Sequence, residues 1–98
     1  MLLEFDPNAQ LELEEATSYY DSINRKLGNT FIDAVERTLN RIVQFPEAWT
    51  PMIASTRRCH VDGFPYGIVY RTYNERIQVL AVMHLQREPR YWINRIQE

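Results

Sequence analysis

RRCHVDGFPYGIVYR runs from Arg57 to Arg71, and RIQVLAVM follows from Arg76 to Met83. These two stretches decide the fold. Arg57, Cys59 and Val61 alternate with Arg58 and His60, a period of two that suits a strand with one face covered. Asp62-Gly63 reads as a turn, lengthened by Phe64-Pro65 beyond a two-residue hairpin. YGIVYRTY (66–73) is rich in β-branched and aromatic residues, and Asn74-Glu75 turns the chain again. RIQVLAVM is apolar at nearly every position, so it should be a central strand covered on at least one face. The lone Cys59 belongs on the core side, because Val61 two residues on shares its face.

Upstream the period changes to that of helices. Asp6-Pro7 is a helix start: Asp accepts from free backbone N–H groups and Pro suits the first helical position. Ala9, Leu13, Ala16, Tyr20, Ile23 and Leu27 fall on one helical face, and Gln10, Glu12, Glu14, Glu15, Ser18 and Asp21 on the other. Gly28-Asn29 reads as the break. A second helix is expected from about Asn29 to Gln44, ended by Pro46, with Phe31, Ile32, Val35, Leu39, Ile42 and Val43 as its apolar stripe. PEAWTPMIAS (46–55) reads as a Pro-bounded connector anchored by Trp49. LLEF at the start reads as a short strand, able to pair across a dimer.

The sum is an α+β fold of order β-α-α-β-β-β. A first strand leads into an antiparallel helical hairpin on one face of a twisted, mostly antiparallel four-stranded sheet. The whole span 1–98 reads as one domain. A hairpin of helices covers only one side, so the other sheet face should be partly open, with Arg side chains crowded on it.

Bulk composition excludes several classes. No apolar run approaches the roughly 18 residues that suggest a membrane span. MLLEFDPNAQ lacks the basic and apolar regions of a signal peptide, and a lone Cys cannot form an internal disulfide, so a cytoplasmic location is expected. The histidines, His60 and His84, and Cys59 have no metal-ligand spacing. Three glycines form no phosphate-binding loop. Neither a metal nor a cofactor is expected.

The net charge of −2 hides an asymmetry. Residues 1–49 carry nine acids and four bases; residues 50–98 carry four acids and seven bases, every one an Arg. Arg without Lys suits planar contacts to carboxylates, phosphates or aromatic faces. The tail HLQREPRYWINR (84–95) adds three arginines and a Tyr-Trp pair just past the apolar strand. Arg57, Arg58, Arg71, His84, Arg87, Arg90, Tyr91 and Trp92 are the candidate binding residues. On this view Tyr91 and Trp92 clamp the tail where its arginines can work. Metal-free phosphoryl transfer would draw on the same residues: Arg57, Arg58, Arg71 or Arg87 to steady a phosphate, His84 and Tyr91 to move protons.

RRCHVDGFPYGIVYR (57–71) together with VLAVMHLQREPRYW (79–92) resembles the RelE/ParE superfamily of toxins from type II toxin–antitoxin systems, in its ParE-like, plasmid-stabilisation branch. The resemblance spans nearly the whole chain and is specific in the second half. It implies a toxin held by a cognate antitoxin, whose flexible segment would lie along the helical hairpin and sheet edge, in a homodimer or toxin–antitoxin hetero-oligomer. Operator DNA would be met only through the antitoxin. ParE-like members bind DNA gyrase and trap its cleaved complex. RelE-like members cut mRNA on the ribosome without a metal. Nuclease members commonly carry a basic residue where this chain has Gly67, and an Arg just past the last strand where it has Leu85, with Arg87 two residues on. Tyr91 sits where some of them keep a functional Tyr. Gyrase poisoning is the expected activity; an mRNA endonuclease and an inactive partner-binding member are the alternatives.

Overall fold

The structure is a computed structural model that describes residues 1–96; Gln97 and Glu98, the end of the 1–98 span, lie outside the described residues. In order along the chain are β1 (Leu2–Phe5), α1 (Pro7–Ile23), α2 (Arg25–Gln44), β2 (Thr50–Met52), β3 (Thr56–His60), β4 (Tyr66–Tyr73), β5 (Arg76–His84) and a 3-10 turn at Ile93–Arg95. The five strands form one sheet in the order β1-β5-β4-β3-β2. β1 runs parallel to β5, and the other three pairings are antiparallel. The α+β architecture is as the sequence implies, with five strands in place of the expected four. β2 was concealed by Pro51, which lacks an N–H and is tolerated because β2 is an edge strand. β1 likewise takes an edge of its own sheet, against Arg76–Val79, rather than requiring a second copy.

The Asp6 carboxylate accepts from Asn8 N at 2.8 Å, and Pro7 follows at the first helical position. The helices part at Asn24, not at Gly28. Asn24 sits in extended backbone, donates its N–H to Tyr20 O, and accepts from Leu27 N at 2.7 Å through its side chain. Capping both helices at once, it supplies the break that Gly28 was expected to make. Gly28 is buried inside α2. A Cβ there would lie 2.6 Å from Asp21 Oδ1 and 3.0 Å from Asp21 Cα. The glycine lets the two helices touch. Gly28→Val should therefore destabilise the fold by about 1–3 kcal/mol, as overpacking does, measured by urea unfolding.

Two apolar clusters lie on opposite faces of the sheet. The helix-side cluster joins Ala9 and Ala16 of α1 and Phe31, Ala34, Val35 and Ile42 of α2 to Cys59, Ile68, Tyr70, Ile77 and Val79. Phe31 sits within 5.4 Å, centroid to centroid, of Tyr20, Phe64 and Tyr66. Trp49 anchors the connector, donating Nε1 to Arg41 O at 3.3 Å. The second cluster is Val69, Leu80, Ala81, Met83 and Trp92, with Met52, Tyr91, Ile93 and Ile96 around it. The face expected to be bare is thus partly roofed by the chain's own tail. A bulge at Leu80 permits this. Val69 pairs with Ala81 and Tyr70 with Val79, so Leu80 is the extra residue, and Leu80 and Ala81 both join the tail-side cluster.

Candidate functional site

The candidate residues divide among three places. Cys59 belongs to the helix-side cluster, so alternation along β3 puts Arg57 on that side and Arg58 on the other. Arg57 donates Nη1 to Trp49 O at 2.9 Å and braces the connector. Tyr70, only 1% exposed, points to the same side and donates its hydroxyl to Pro46 O. Burial pushes its pKa up to about 12, against the lowering influence of Arg57.

Arg58 and Arg71 belong to the open face. Arg58 lays its aliphatic stem over Gly67: a Cβ on that glycine would lie 2.8 Å from Arg58 Cδ and 2.9 Å from Cγ. The glycine stands in the place of a side chain because an arginine from the neighbouring strand already fills the space. Arg58 is half-buried, and its guanidinium forms no hydrogen bond or ion pair with any described residue. Arg71 donates Nε to Gln78 Oε1 at 2.8 Å and lies 4.3 Å over the Tyr73 ring. Tyr73 and Arg76 both reach Glu4, the hydroxyl at 3.0 Å and the guanidinium at 3.2 Å.

His84, Arg87 and Tyr91 gather at the far end of β5. The His84 ring meets Tyr66 edge-on at 5.1 Å, and its Nδ1 accepts from Gln86 N at 3.1 Å. That is a histidine ordering a turn. Arg87 and Tyr91 converge instead on Glu12 of α1. The Glu12 side chain is 13% exposed. It accepts from Tyr91 Oη at 2.7 Å, Val82 N at 3.1 Å, Arg87 Nη1 at 3.3 Å, and Arg95 Nη1 and Nη2 at 2.9 and 3.2 Å. Arg95 Nη1 also donates to Leu80 O at 2.9 Å. Arg87 and Arg95 approach the Tyr91 ring at 3.7 and 5.1 Å. The Tyr91 pKa is raised, first by burial and then by its hydrogen bond to Glu12. A phenol so held keeps its proton.

Arg90 is exposed and pairs with Glu88, its Nε 3.5 Å from a carboxylate oxygen. Trp92 is 0% exposed, so it packs the tail and cannot touch a partner without leaving its seat. The expected single crowd of arginines is not found. Arg58 and Arg71 share the open face, Arg57 lies on the helix side and meets Arg71 only where both line a pocket beside Pro46 and Tyr70, and Arg87 is drawn to α1 by Glu12. The sequence places Glu12 on the polar face of α1, opposite its apolar stripe. The signal that would have found it is the stripe Ala9-Glu12-Ala16, in which an acid sits between two residues that are almost wholly buried. Such an acid requires cationic or N–H partners.

An apolar groove of about 520 Å³ runs between the helices, with Leu13, Val35 and Leu39 as its floor, Phe5 at the β1 end, and Glu14 and Glu36 on its rim. Among the described residues no three His, Cys, Asp or Glu side chains converge, and no helix is long and apolar enough to cross a membrane.

Comparison with known proteins agrees with this architecture. A family model described as "ParE toxin of type II toxin-antitoxin system, parDE" matches residues 3–89. Toxin ParE2 of Mycobacterium tuberculosis, in strains CDC 1551 / Oshkosh and ATCC 25618 / H37Rv, is 41% identical over 83 residues, 80% of this chain and 75% of that protein. A solved chain described as "Chromosomal ParDE TA system from P. aeruginosa" superimposes with a TM-score of 0.65 at 14% identity, covering 88% of this chain and 97% of that one, a likeness of fold. The match runs from β1 through the Glu88-Pro89 step of the tail, and on it this chain belongs to the ParE toxin family of type II toxin–antitoxin systems.

Proposed function

We propose that this toxin acts by binding DNA gyrase and trapping its cleaved complex with DNA, so that replication stops. The observation that carries the reading is that the groups a metal-free nuclease would need are engaged in holding the fold. Arg57 braces a connector, His84 orders a turn, and Tyr91 is buried against a carboxylate that opposes loss of its proton. Proton transfer to a scissile phosphate requires these groups within hydrogen-bond reach of one reacting atom. Binding asks less: an open face carrying Arg58, whose guanidinium has no partner among the described residues, and Arg71 stacked on Tyr73, both of which suit an interface anchor. Arg58 and Arg71 on that face, with exposed Arg90 in the tail, are the contacts proposed. The toxin would act in the cytoplasm, without a cofactor.

The antitoxin is proposed to occupy the α1–α2 groove and the adjoining β1 edge. An amphipathic segment with apolar anchors and basic flanks fits a floor of Leu13, Val35 and Leu39 rimmed by Glu14 and Glu36. Operator DNA would be bound through the antitoxin in a hetero-oligomeric complex.

The test adds purified toxin to DNA gyrase and supercoiled plasmid, and in parallel to ribosomes translating a defined mRNA. Loss of supercoiling with accumulation of cleaved DNA supports the proposal. Cut mRNA with gyrase untouched would make the protein RelE-like in activity, and silence in both assays would leave a partner-binding module. Gly67→Ala gives a sharper probe. The added methyl evicts the Arg58 stem without deleting the charge, so gyrase inhibition should fall as far as in Arg58→Ala. Stability should change by less than about 1 kcal/mol, since only a flexible side chain must move and a strand glycine is replaced.

A further inference from the structure

The start of the tail is tied back through its backbone, Leu85 N–H donating to Pro65 O at 2.9 Å and Arg87 N–H to His84 O at 3.0 Å; beyond that turn, two kinds of contact join the tail to the rest of the protein. Trp92 supplies apolar area, seated among Val69, Leu80, Ala81 and Met83. Its indole Nε1 has no hydrogen-bond partner among the described residues, so this seat gives the tail no directional bond. Direction comes from Glu12, which holds Tyr91, Arg87 and Arg95 from the opposite side of the β5 edge. The same carboxylate takes Val82 N–H, and Arg95 takes Leu80 C=O. Both are backbone groups of β5 beyond the reach of β1, which pairs only as far as Val79. One α1 side chain therefore fixes the tail and closes a strand edge that would otherwise be open to another chain.

We infer that Glu12 is the positioning residue of the toxin: a latch that sets where residues 88–96 lie and so where the tail meets its target. The inference deepens the gyrase reading and rests on it for the identity of the target. Its geometry does not depend on that target. The carboxylate is needed as an anion, because its partners are two guanidiniums, a phenol and an amide N–H, donors without exception. Glutamine keeps the shape and replaces one acceptor oxygen with a donor that faces arginine.

The test uses the full chain carrying Trp49→Phe, which leaves Trp92 as the single indole. Acrylamide quenching of Trp92 and amide exchange are compared for Glu12, Glu12→Gln and Glu12→Asp, alongside gyrase cleavage. Glu12→Gln should raise the open-tail population on the order of tenfold, as loss of a charge-assisted hydrogen bond implies. Quenching and Val82 exchange should rise together while α2 and β4 stay protected, and gyrase cleavage should fall in proportion. Glu12→Asp, shorter but still anionic, should recover part of both. Unchanged quenching in Glu12→Gln overturns the latch. Raised quenching with gyrase cleavage intact overturns the positioning role. Loss of protection throughout α2 and β4 overturns it too, since Glu12 would then hold up the fold and not the tail. A parent toxin inert on gyrase defeats the gyrase reading alone, because quenching still decides whether the latch exists.

Discussion

Trp92→Ala should lower the unfolding free energy by about 3–5 kcal/mol, the range for removing a large buried aromatic. Trp92 is the largest fully buried side chain, and it fills the tail-side cluster from above. Its neighbours Ala81 and Met83 are held by pairing with Val69 and Gly67 of β4, and with Leu80 they cannot readily collapse into the space left behind. A small domain of this kind has about 5–15 kcal/mol to lose. A urea titration followed by far-UV circular dichroism should show the midpoint moving sharply down, and Tm should fall by roughly 15 °C or more. One feature tempers the loss: the indole N–H, buried without a partner among the described residues, goes with the ring, relieving a donor that costs about 1–3 kcal/mol. Trp92→Phe should therefore be much milder than Trp92→Ala. A Trp92→Ala variant as stable as the parent would mean that the tail contributes nothing to the tail-side core.

The second large effect is alkaline instability. Tyr70 titrates at about 12 in the folded protein against 10 for an ordinary phenol. The folded form holds its proton longer than the unfolded one, so its contribution is fully present below pH 10. It drains away as pH rises from there toward about 12. At about 1.4 kcal/mol per unit, Tyr70 alone accounts for roughly 2–3 kcal/mol. Tyr91, Tyr20 and Tyr66 are raised in the same direction, each chiefly by burial, as is the Cys59 thiol. The sum should unfold the chain near the upper end of that window, with the Tyr70 part of the tyrosinate absorbance appearing together with loss of helix. Tyr70→Phe should flatten the decline above pH 10. A Tyr70 contribution, read as the difference between the parent and Tyr70→Phe, that appears below pH 11 while the helices persist would contradict the buried placement of the Tyr70 hydroxyl.

Much of the fold was legible because each signal was local. Asp6-Pro7 starts a helix by itself, Pro46 stops one, and Asp62-Gly63 and Asn74-Glu75 turn the chain. Gly63, Asn74 and Glu75 do adopt positive φ. What escaped depends on the third dimension. Gly28 looks like a helix end in sequence, yet the need for glycine comes from Asp21 on the neighbouring helix. β2 looks like a connector because Pro51 is harmless only at an edge. The site was legible in kind and not in place: arginines and aromatics concentrate in the second half, but alternation sends Arg57 behind the sheet while Arg58 stays on the open face. Glu12 draws Arg87 and Tyr91 together across more than seventy residues, a distance that periodicity cannot see.

The single surplus residue at Leu80 reaches further than the pocket under Trp92. Inserting one residue reverses the inside–outside parity of everything after it in a strand. His84 therefore keeps company with Tyr66 and α1, while Leu85 turns toward Gly67. Without that residue the strand's end would turn over and carry the imidazole round to the Arg58 side. Whether this chain presents its His84 imidazole beside Arg58 or beside Tyr66 is thus governed by a count of backbone units, not by any side chain.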